Sequence, residues 1–359
     1  MPLPSPSIAV ILPTRNRETW LKRTLSYLEA QTYKNFVVRV SDNGSSDATK
    51  HLSAKDFPNL NIIWTRRDPP LPGLAEHYQQ IVSECVEDYI AVAHDDEIYS
   101  KDWLQELVSL LDDRVTVAFG RALNVDARSS PWSFQFRHPI LTEGSYPVAK
   151  LKEELSLGRG SLCGNGFLLK TQPAKATLDC LTKYEQYDYE WIIRVAESGL
   201  TQVSPRYLNT QTIHQSNTLS SAEYLAELGQ RIHACSMMQE WLEKTDLSQE
   251  LKKNRHQELA RMRLGGLRQA LLRAALVGSP KAIHSIAAAL IKSPGNTPRD
   301  RLLAATLCQP WILPLTKTFG TAINLLKKYR TPHWPNPVDS ATLQKIFPEC
   351  LNAIIPQNN

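Results

Sequence analysis

The first 93 residues repeat one pattern, and this pattern restricts the fold more than any other feature of the chain. Short apolar, β-branched runs at 7–13, 36–40, 61–64 and 89–93 alternate with polar loops and with segments whose apolar residues recur at helical spacing. Strand, helix and strand in succession form a βαβ unit, and repeated units build a mostly parallel sheet. We therefore predict an α/β fold with a Rossmann-like central sheet flanked by helices.

Polar clusters follow three of these strands, at 14–17, 42–47 and 94–97. Ligands of parallel sheets bind at the carboxyl ends of the strands, so the three clusters are expected in one crevice. Three consecutive acids, Asp95 to Glu97, repel one another unless a cation or ligand compensates their charge. Mg²⁺ and Mn²⁺ bind one or two carboxylates and complete their coordination with water and phosphate oxygens. The alternative is a solvated turn that caps the helix beginning near Ser100.

Three motifs carry a resemblance to a known family, and they are VILPTRNR, VSDNGSSDAT and YIAVAHDDEIYSKDWL in this order. Over about residues 7–220 the chain resembles the inverting family 2 glycosyltransferases (GT2) of the GT-A fold. The resemblance implies a nucleotide-diphosphate sugar donor, a saccharide or lipid-linked saccharide acceptor, and Mn²⁺ or Mg²⁺ as cofactor. Synthesis of bacterial surface polysaccharide or glycan is the expected setting. The motifs are specific for the family and not for a substrate.

The resemblance also assigns roles to individual residues. Those implied to bind the nucleotide sugar are Pro13, Thr14, Arg15, Arg17, Asp42, Asn43, Arg67 and Asp95. Asp42 would contact the base or ribose, and Asp96 would be the metal-binding acid. His94 departs from the family pattern, since many members carry the first Asp of D-x-D there, although HDDE matches a T-D-D-N variant. This histidine either belongs to the site or packs at the end of a strand.

Asp188 is the predicted catalytic base. Counting back from Arg194 along a predicted helix, the resemblance places Asp188 on the catalytic Asp of the family. In an inverting transfer one carboxylate takes the proton from the acceptor hydroxyl as that hydroxyl attacks the anomeric carbon. Tyr187 replaces the customary Glu, and Glu190 is the second candidate. Otherwise, Asp188 would serve only as a helix cap.

Further candidates lie around the predicted acceptor. The glycine-containing segment 160–170 resembles the acceptor-side wall of the family, and the acceptor-side candidates are Gly164, Asn165 and Glu190. The aromatic-rich stretch 127–150 either lines an acceptor pocket or is a surface insertion. His214 is predicted to bind the metal or the diphosphate, with a structural role as the alternative.

We predict three parts: 1–125 as the nucleotide-sugar-binding half of a GT-A domain, 126–222 as its acceptor-binding half, and 223–359 as a basic, mainly helical C-terminal extension. Residues 251–335 contain fifteen Lys and Arg but two acids, a net charge of +13, so the rest of the chain carries −8. This region includes a basic amphipathic segment, Trp311 to Leu326. Such a region meets an anionic membrane surface, or it packs on the catalytic domain or another subunit. No nucleic-acid-reading motif is present, so we do not expect nucleic acid as a partner.

The rest of the sequence bears on location. Six scattered cysteines without CxxC pairs indicate reduced thiols of a cytosolic protein. The N-terminus lacks a basic segment followed by a long apolar core, and no run of 18 apolar residues occurs. We expect a cytoplasmic protein whose basic region reaches the cytoplasmic face of the membrane. The oligomeric state is left open.

Two other functions fit part of the sequence. A nucleotidyltransferase also uses a Rossmann-like sheet and acidic metal ligands, but a G-x-G-T/S-x-x-R loop would follow its first strand, where PTRNR stands here. A catalytically degenerate GT-A protein that only binds its ligand would explain the departures at His94 and Tyr187. The leading prediction is a metal-dependent inverting glycosyltransferase of the hexosyltransferase type.

Overall fold

A computed structural model describes residues 5–127, 132–136, 141–159, 162, 165–183, 188–214, 224–277, 279–309 and 338–350. Only the backbone is described at 182–183, 188–189, 224–231 and 276–277. The chain divides into two compact units, the first made of 1–154, 158–213 and 334–359 and the second of 155–157 and 214–333. The two predicted halves of the GT-A domain lie in the first unit, which also contains 334–359 from the predicted C-terminal extension.

One sheet lies at the centre of the first unit, and it contains nine strands within the described residues. In chain order these are β1 (Ile8–Thr14), β2 (Phe36–Asp42), β3 (Ile62–Arg66), β4 (Tyr89–Val92), β5 (Val115–Asp126), β6 (Ser133–Phe136), β7 (Gly144–Pro147), β8 (Leu168–Lys170) and β9 (Leu200–Ile213). Their order across the sheet is β3-β2-β1-β4-β8-β5-β9-β7, with β6 paired to β5. The first four strands are parallel neighbours, whereas β8 is antiparallel to both β4 and β5. The predicted α/β fold is confirmed.

The described helices of four or more residues are, in chain order, α1 (Glu18–Glu29), α2 (Leu74–Glu84), α3 (Trp103–Ser109), α4 (Val148–Ser156), α5 (Thr171–Ala176), α6 (Cys180–Lys183), α7 (Asp188–Ala196), α8 (Tyr224–Glu243), α9 (Gln249–Val277), α10 (Pro280–Lys292), α11 (Pro298–Leu307) and α12 (Ser340–Ile346). Two short 3₁₀ segments, Ala48–His51 and Ala54–Asp56, follow β2. No helix in the described part of the chain combines the length and apolarity needed to cross a bilayer.

Strand β1 is buried along its whole length, as expected for a central strand of a parallel sheet covered on both faces. Its apolar residues join one core with Leu21, Leu25 and Leu28 of α1, which recur at helical spacing and are fully buried. This packing fixes the direction of β1, and with it the position of the polar loop that follows Thr14.

The second unit is helical, as predicted for the C-terminal extension. Its core is formed by apolar residues of α9, α10 and α11, among them Leu271, Ile283 and Leu307. Helix α11 was not predicted, although its capping box of Thr297 and Asp300 and the proline at 298 are recognisable start signals. The predicted amphipathic segment Trp311 to Leu326 lies outside the described residues.

The last described segment, 338–350, returns to the first unit. The backbone N–H of Val338 donates to the carbonyl of Phe134 at 2.7 Å, and the backbone N–H of Lys101 donates to Glu349 Oε1 at 2.8 Å. Leu343, Phe347 and Cys350 are buried in one core with Ile98, Leu123, Val125 and Phe134. This segment, which we call the C-terminal brace, therefore packs on Ile98 and is bonded to Lys101, three residues further along the chain.

We expect Phe347→Ala to lower the free energy of unfolding of the first unit by about 3–5 kcal/mol, because it removes a fully buried aromatic ring. Urea unfolding measures the loss, and hydrogen exchange at the Ile98 and Ser100 amides locates it. Val86→Ala, which truncates a side chain that is 85% exposed, is the control and should change stability by less than about 0.5 kcal/mol. Equal effects of the two substitutions would show that the brace is not part of the folded core.

Candidate active site

The loops after β1 and β4 are joined by side-chain contacts. Thr14 Oγ1 donates to Asp95 Oδ2 at 2.6 Å, and Arg17 Nη1 donates to Asp96 Oδ2 at 2.8 Å. Because β1 and β4 are adjacent parallel strands, their carboxyl ends bring these two loops together. Of the other residues predicted in the first loop, Pro13 is buried within β1 and Arg15 is exposed.

Asp42 ends β2 next to β1, at the same edge of the sheet. Its carboxylate is 1% exposed: Oδ1 accepts from the Ser45 N–H at 2.9 Å and from Ser45 Oγ at 2.5 Å, and Oδ2 accepts from Arg66 Nη1 at 2.5 Å. The amide of Asn43 is bonded to the backbone of Leu71 on the next loop, at 2.7 and 3.2 Å. Asp42 thus fixes the turn after β2 and orients one guanidinium beside it.

Arg67, which was predicted to bind the nucleotide, belongs to a hydrogen-bond network around Ser41, the residue before Asp42. Its Nε donates to Ser41 Oγ at 3.0 Å, and its two terminal nitrogens donate to Glu84 at 2.9 and 2.8 Å. His77 Nε2 is also bonded to Ser41 Oγ, at 2.8 Å. Burial, with the nearby positive charge of Arg67, lowers the pKa of His77 to about 4, so this imidazole is neutral at neutral pH.

Arg66 occupies the place beside Asp42, and the sequence analysis missed it. Arg66 ends β3 and pairs in register with Asp42, the last residue of β2. The predicted third strand ended at Trp64, so the register that brings these two side chains together was not recognised. A predicted third strand that ended two residues later, at Arg66, would have indicated its pairing with Asp42.

Glu97 is the most enclosed of the three consecutive acids. Its Oε2 accepts from Thr210 Oγ1 at 2.8 Å, from the Thr212 N–H at 2.8 Å and from Thr212 Oγ1 at 2.9 Å, all on β9. Burial, together with the negative charge of Asp96, raises the pKa of Glu97 to about 8. The same two causes raise the pKa of Asp95 to about 7, although Arg17 and Thr14 act in the opposite direction. Near neutral pH, the cluster therefore favours fewer than three negative charges or an added cation.

The acidic loop is also held through its backbone. The Ile98 N–H donates to Thr210 Oγ1 at 2.9 Å, and the carbonyl of Glu97 accepts from Thr24 Oγ1 of α1 at 3.1 Å. The His94 N–H donates to the hydroxyl of Tyr99 at 2.8 Å. Helix α1, strand β9 and the C-terminal brace thus fix the loop from separate parts of the sequence.

Three side chains of this loop lie close enough together to bind one metal ion. One ligand atom from each of His94, Asp96 and Glu97 lies within 4.8 Å of the other two. Carboxylate oxygens suit Mg²⁺ and Mn²⁺, so the donor set fits a hard divalent cation. Glu97 was not predicted as a ligand, although it directly follows Asp96. His214 is buried directly after β9 and belongs to the second unit, and its role as a ligand stays a prediction.

The residues predicted on the acceptor side lie in the segment before β8 and in α7. Asn165 is buried, accepts from Asn209 Nδ2 at 2.7 Å and donates to the Thr210 carbonyl at 3.2 Å. Asp188 is the first residue of α7, and its side chain lies outside the described residues, as do Gly164 and Tyr187. Glu190 approaches Arg194 at 3.9 Å. The catalytic and acceptor-side roles of these residues stay predictions.

Within the aromatic-rich stretch 127–150, one described aromatic side chain packs in the core and another lies in a surface cluster. Phe134 is buried in the core shared with the brace. Trp132 stacks on Trp20 of α1 with ring centroids 6.0 Å apart, and the Arg23 guanidinium lies 4.3 and 4.7 Å from the two rings. Both indoles are half-buried, so this surface cluster is stabilised by cation–π contacts.

Comparison with known proteins decides the family. Residues 9–177 match the family model described as glycosyl transferase family 2. The chain contains a GT2 domain. The amylovoran biosynthesis glycosyltransferase AmsB of Erwinia amylovora is 30% identical to it over 109 residues, which cover 30% of this chain and 36% of that protein. An uncharacterized glycosyltransferase of Rickettsia conorii is 26% identical over 106 residues, which cover 30% of this chain and 17% of that protein.

The fold of the GT2 domain also has solved relatives. The crystal structure of S. aureus TarS 1-349 in complex with UDP-GlcNAc is similar with a TM-score of 0.55 at 15% identity, and the match covers 92% of this chain and 95% of that one. The GT-A fold is thereby confirmed. The chain spans about a third or less of the length of the two curated relatives above, and the family model ends at 177, before Thr210 and Thr212 of β9.

The neutral state of His77 leads to a prediction on pH. The pKa of His77 is lower in the folded than in the unfolded chain, so the unfolded chain takes up a proton first as the pH falls below about 6.5. Stability is therefore lost toward acid, by about 1.4 kcal/mol per pH unit until the folded pKa of about 4 is reached.

Between pH 7 and pH 4.5, both the native protein and His77→Gln should lose stability. We expect the loss to be about 2–3 kcal/mol smaller for His77→Gln, which retains an amide for Ser41. Urea unfolding at the two pH values measures this difference. His51→Gln, which alters an exposed histidine, serves as the control and should follow the native protein. Identical pH profiles of the native protein and His77→Gln would contradict the assignment of a neutral, buried imidazole.

Proposed function

We propose that this protein transfers a sugar from a nucleotide-diphosphate donor to a saccharide or lipid-linked saccharide, with inversion at the anomeric carbon. The main support is the meeting of the loops after β1 and β4, where Thr14 contacts Asp95 and Arg17 contacts Asp96. Asp42 lies at the same sheet edge, at the end of β2. Membership of residues 9–177 in the glycosyltransferase family supports the same reaction class.

A divalent cation would be held by Asp96 with His94 and Glu97, whose ligand atoms lie close together. When bound, such a cation neutralises the charge that develops on the departing diphosphate. The protein's own contribution here is to hold the ligands still, because Glu97 is anchored to β9 by three hydrogen bonds. Arg17 is proposed to contact the diphosphate, because its guanidinium lies 4.0 Å from Asp95 and 2.8 Å from Asp96.

Asp42 and Arg66 are proposed to hold the nucleoside. The carboxylate of Asp42 is oriented by Ser45 and Arg66, and a fixed acceptor of this kind selects a base or ribose that presents a donor. The backbone N–H of Arg67 donates to the backbone carbonyl of Asp42 at 2.8 Å, which joins the network of Ser41, Arg67 and His77 to the backbone of Asp42. For Arg67 we therefore propose a positioning role within the nucleotide site.

Asp188 is proposed as the base that takes the proton from the acceptor hydroxyl. It begins α7, where the positive end of the helix favours the ionised carboxylate. The nucleotide sugar in the TarS complex makes UDP-sugars the first donors to test.

The experiment compares three single substitutions: Asp96→Asn, Asp188→Asn and, as a control on an exposed acid paired with Arg194, Asp179→Asn. Nucleotide binding with and without Mn²⁺ and sugar transfer are measured for each. We expect Asp96→Asn to weaken Mn²⁺-dependent nucleotide binding at least tenfold (about 1.4 kcal/mol or more). Asp188→Asn should bind nucleotide nearly normally and lose at least about 100-fold in transfer rate. Asp179→Asn should behave as the native protein does.

Each alternative has its own outcome. If Asp188→Asn transferred sugar at the native rate, Asp188 would not be the catalytic base, and Glu190 would be the next candidate. Tight nucleotide binding without transfer by the native protein would favour a degenerate GT-A protein. Nucleotide binding that is the same with Mn²⁺ and with chelator would exclude the proposed metal site.

A further inference from the structure

The turn between α10 and α11 presents an exposed surface that is both basic and apolar. We call residues 291–302 the α10–α11 corner. Ile291 is 44% and Leu302 is 69% exposed, and Lys292, Arg299 and Arg301 of the same segment are also exposed. Large apolar side chains in water are unfavourable unless another surface covers them.

Within residues 291–302, basic side chains outnumber acidic ones by three to one. Asp300 is the one acid between 291 and 302, and it is only 3% exposed. Its carboxylate accepts from Arg268 Nε and Nη2 at 2.5 and 2.8 Å and from the Thr297 N–H and Oγ1 at 2.8 and 2.9 Å. The inward ion pair leaves three cations on the outer side of the corner.

Hydrogen bonds within the α10–α11 corner fix its shape. Asn296 Nδ2 donates to the carbonyl of Ile291 at 2.7 Å, and Asn296 Oδ1 accepts from Arg301 Nε at 2.9 Å. Gly295 has φ +79°, a conformation that favours glycine. Ile291 and Leu302 are therefore displayed from a fixed turn rather than from a loose loop.

We propose that the α10–α11 corner docks on an anionic lipid surface, with Ile291 and Leu302 entering the headgroup region and the three cations contacting lipid phosphates. Two protruding aliphatic side chains among Lys and Arg match a bilayer interface, where one end of the contact is apolar and the other anionic. The corner carries no aromatic side chain on which a nucleic acid base would stack.

This inference goes beyond the proposed transfer reaction and does not depend on it. It concerns the second unit alone, and it is tested by binding to vesicles in the absence of any donor. Its failure would leave the proposed reaction unchanged, and failure of the reaction would leave lipid binding unchanged.

The charge is tested with the full chain and two matched double substitutions. K292Q/R299Q removes two cations from the corner, and K253Q/R261Q removes two exposed cations from α9. Co-sedimentation uses phosphatidylcholine vesicles with and without phosphatidylserine. We expect the native chain to prefer the anionic vesicles, K292Q/R299Q to bind them about 10–25-fold more weakly, and K253Q/R261Q to lose less than about threefold.

The apolar contact is tested with Leu302→Ser, and Met262→Ser on α9, which alters a side chain 53% exposed, is its control. We expect Leu302→Ser to weaken binding about tenfold even in high salt and Met262→Ser to have little effect. The proposal would be overturned if both variants of either pair lost vesicle binding equally. It would also be overturned if the native chain did not bind anionic vesicles, or bound neutral vesicles equally well. Preference for a single-stranded RNA probe over anionic vesicles would overturn it as well.

Discussion

Mutual repulsion among Asp95, Asp96 and Glu97 is the constraint on which the rest of the first unit depends. The three carboxylates follow a buried strand and are themselves buried, so the fold must compensate them from other elements. The first loop supplies Thr14 and Arg17, and β9 supplies Thr210 and Thr212. These compensating groups come from opposite ends of the domain sequence. The acids can therefore be held together only when the whole sheet has formed.

The sheet order explains why this compensation works. Strand β4 is paired with β1 on one side and with β8 on the other, and β5 connects β8 to β9. Asp96 thus faces the loop after β1, while Glu97 reaches the threonines of β9. A family model that ends at residue 177 covers the first set of contacts and not the second. The C-terminal brace adds support from still further along the chain, through the core around Ile98.

The sequence predicted those parts of the fold that local patterns encode. Apolar runs with polar ends revealed the parallel strands, because alternation of strand and helix is a short-range signal. The contact of Asp42 with Arg66 rather than Arg67 depends on where β3 ends, and strand ends are set by pairing as much as by composition. The brace depends on contacts between residues more than 200 positions apart, such as Lys101 with Glu349. No local pattern in 338–350 indicates which surface it covers.

The central claim is that the carboxyl ends of β1, β2 and β4 form one donor site. A crystal structure of the protein grown with a nucleoside diphosphate and Mn²⁺ tests it most directly. Our account predicts that the nucleoside contacts Asp42, that the diphosphate lies beside Arg17, and that Mn²⁺ is bound by Asp96. Nucleotide density at another surface, or Mn²⁺ bound away from Asp96, would contradict it.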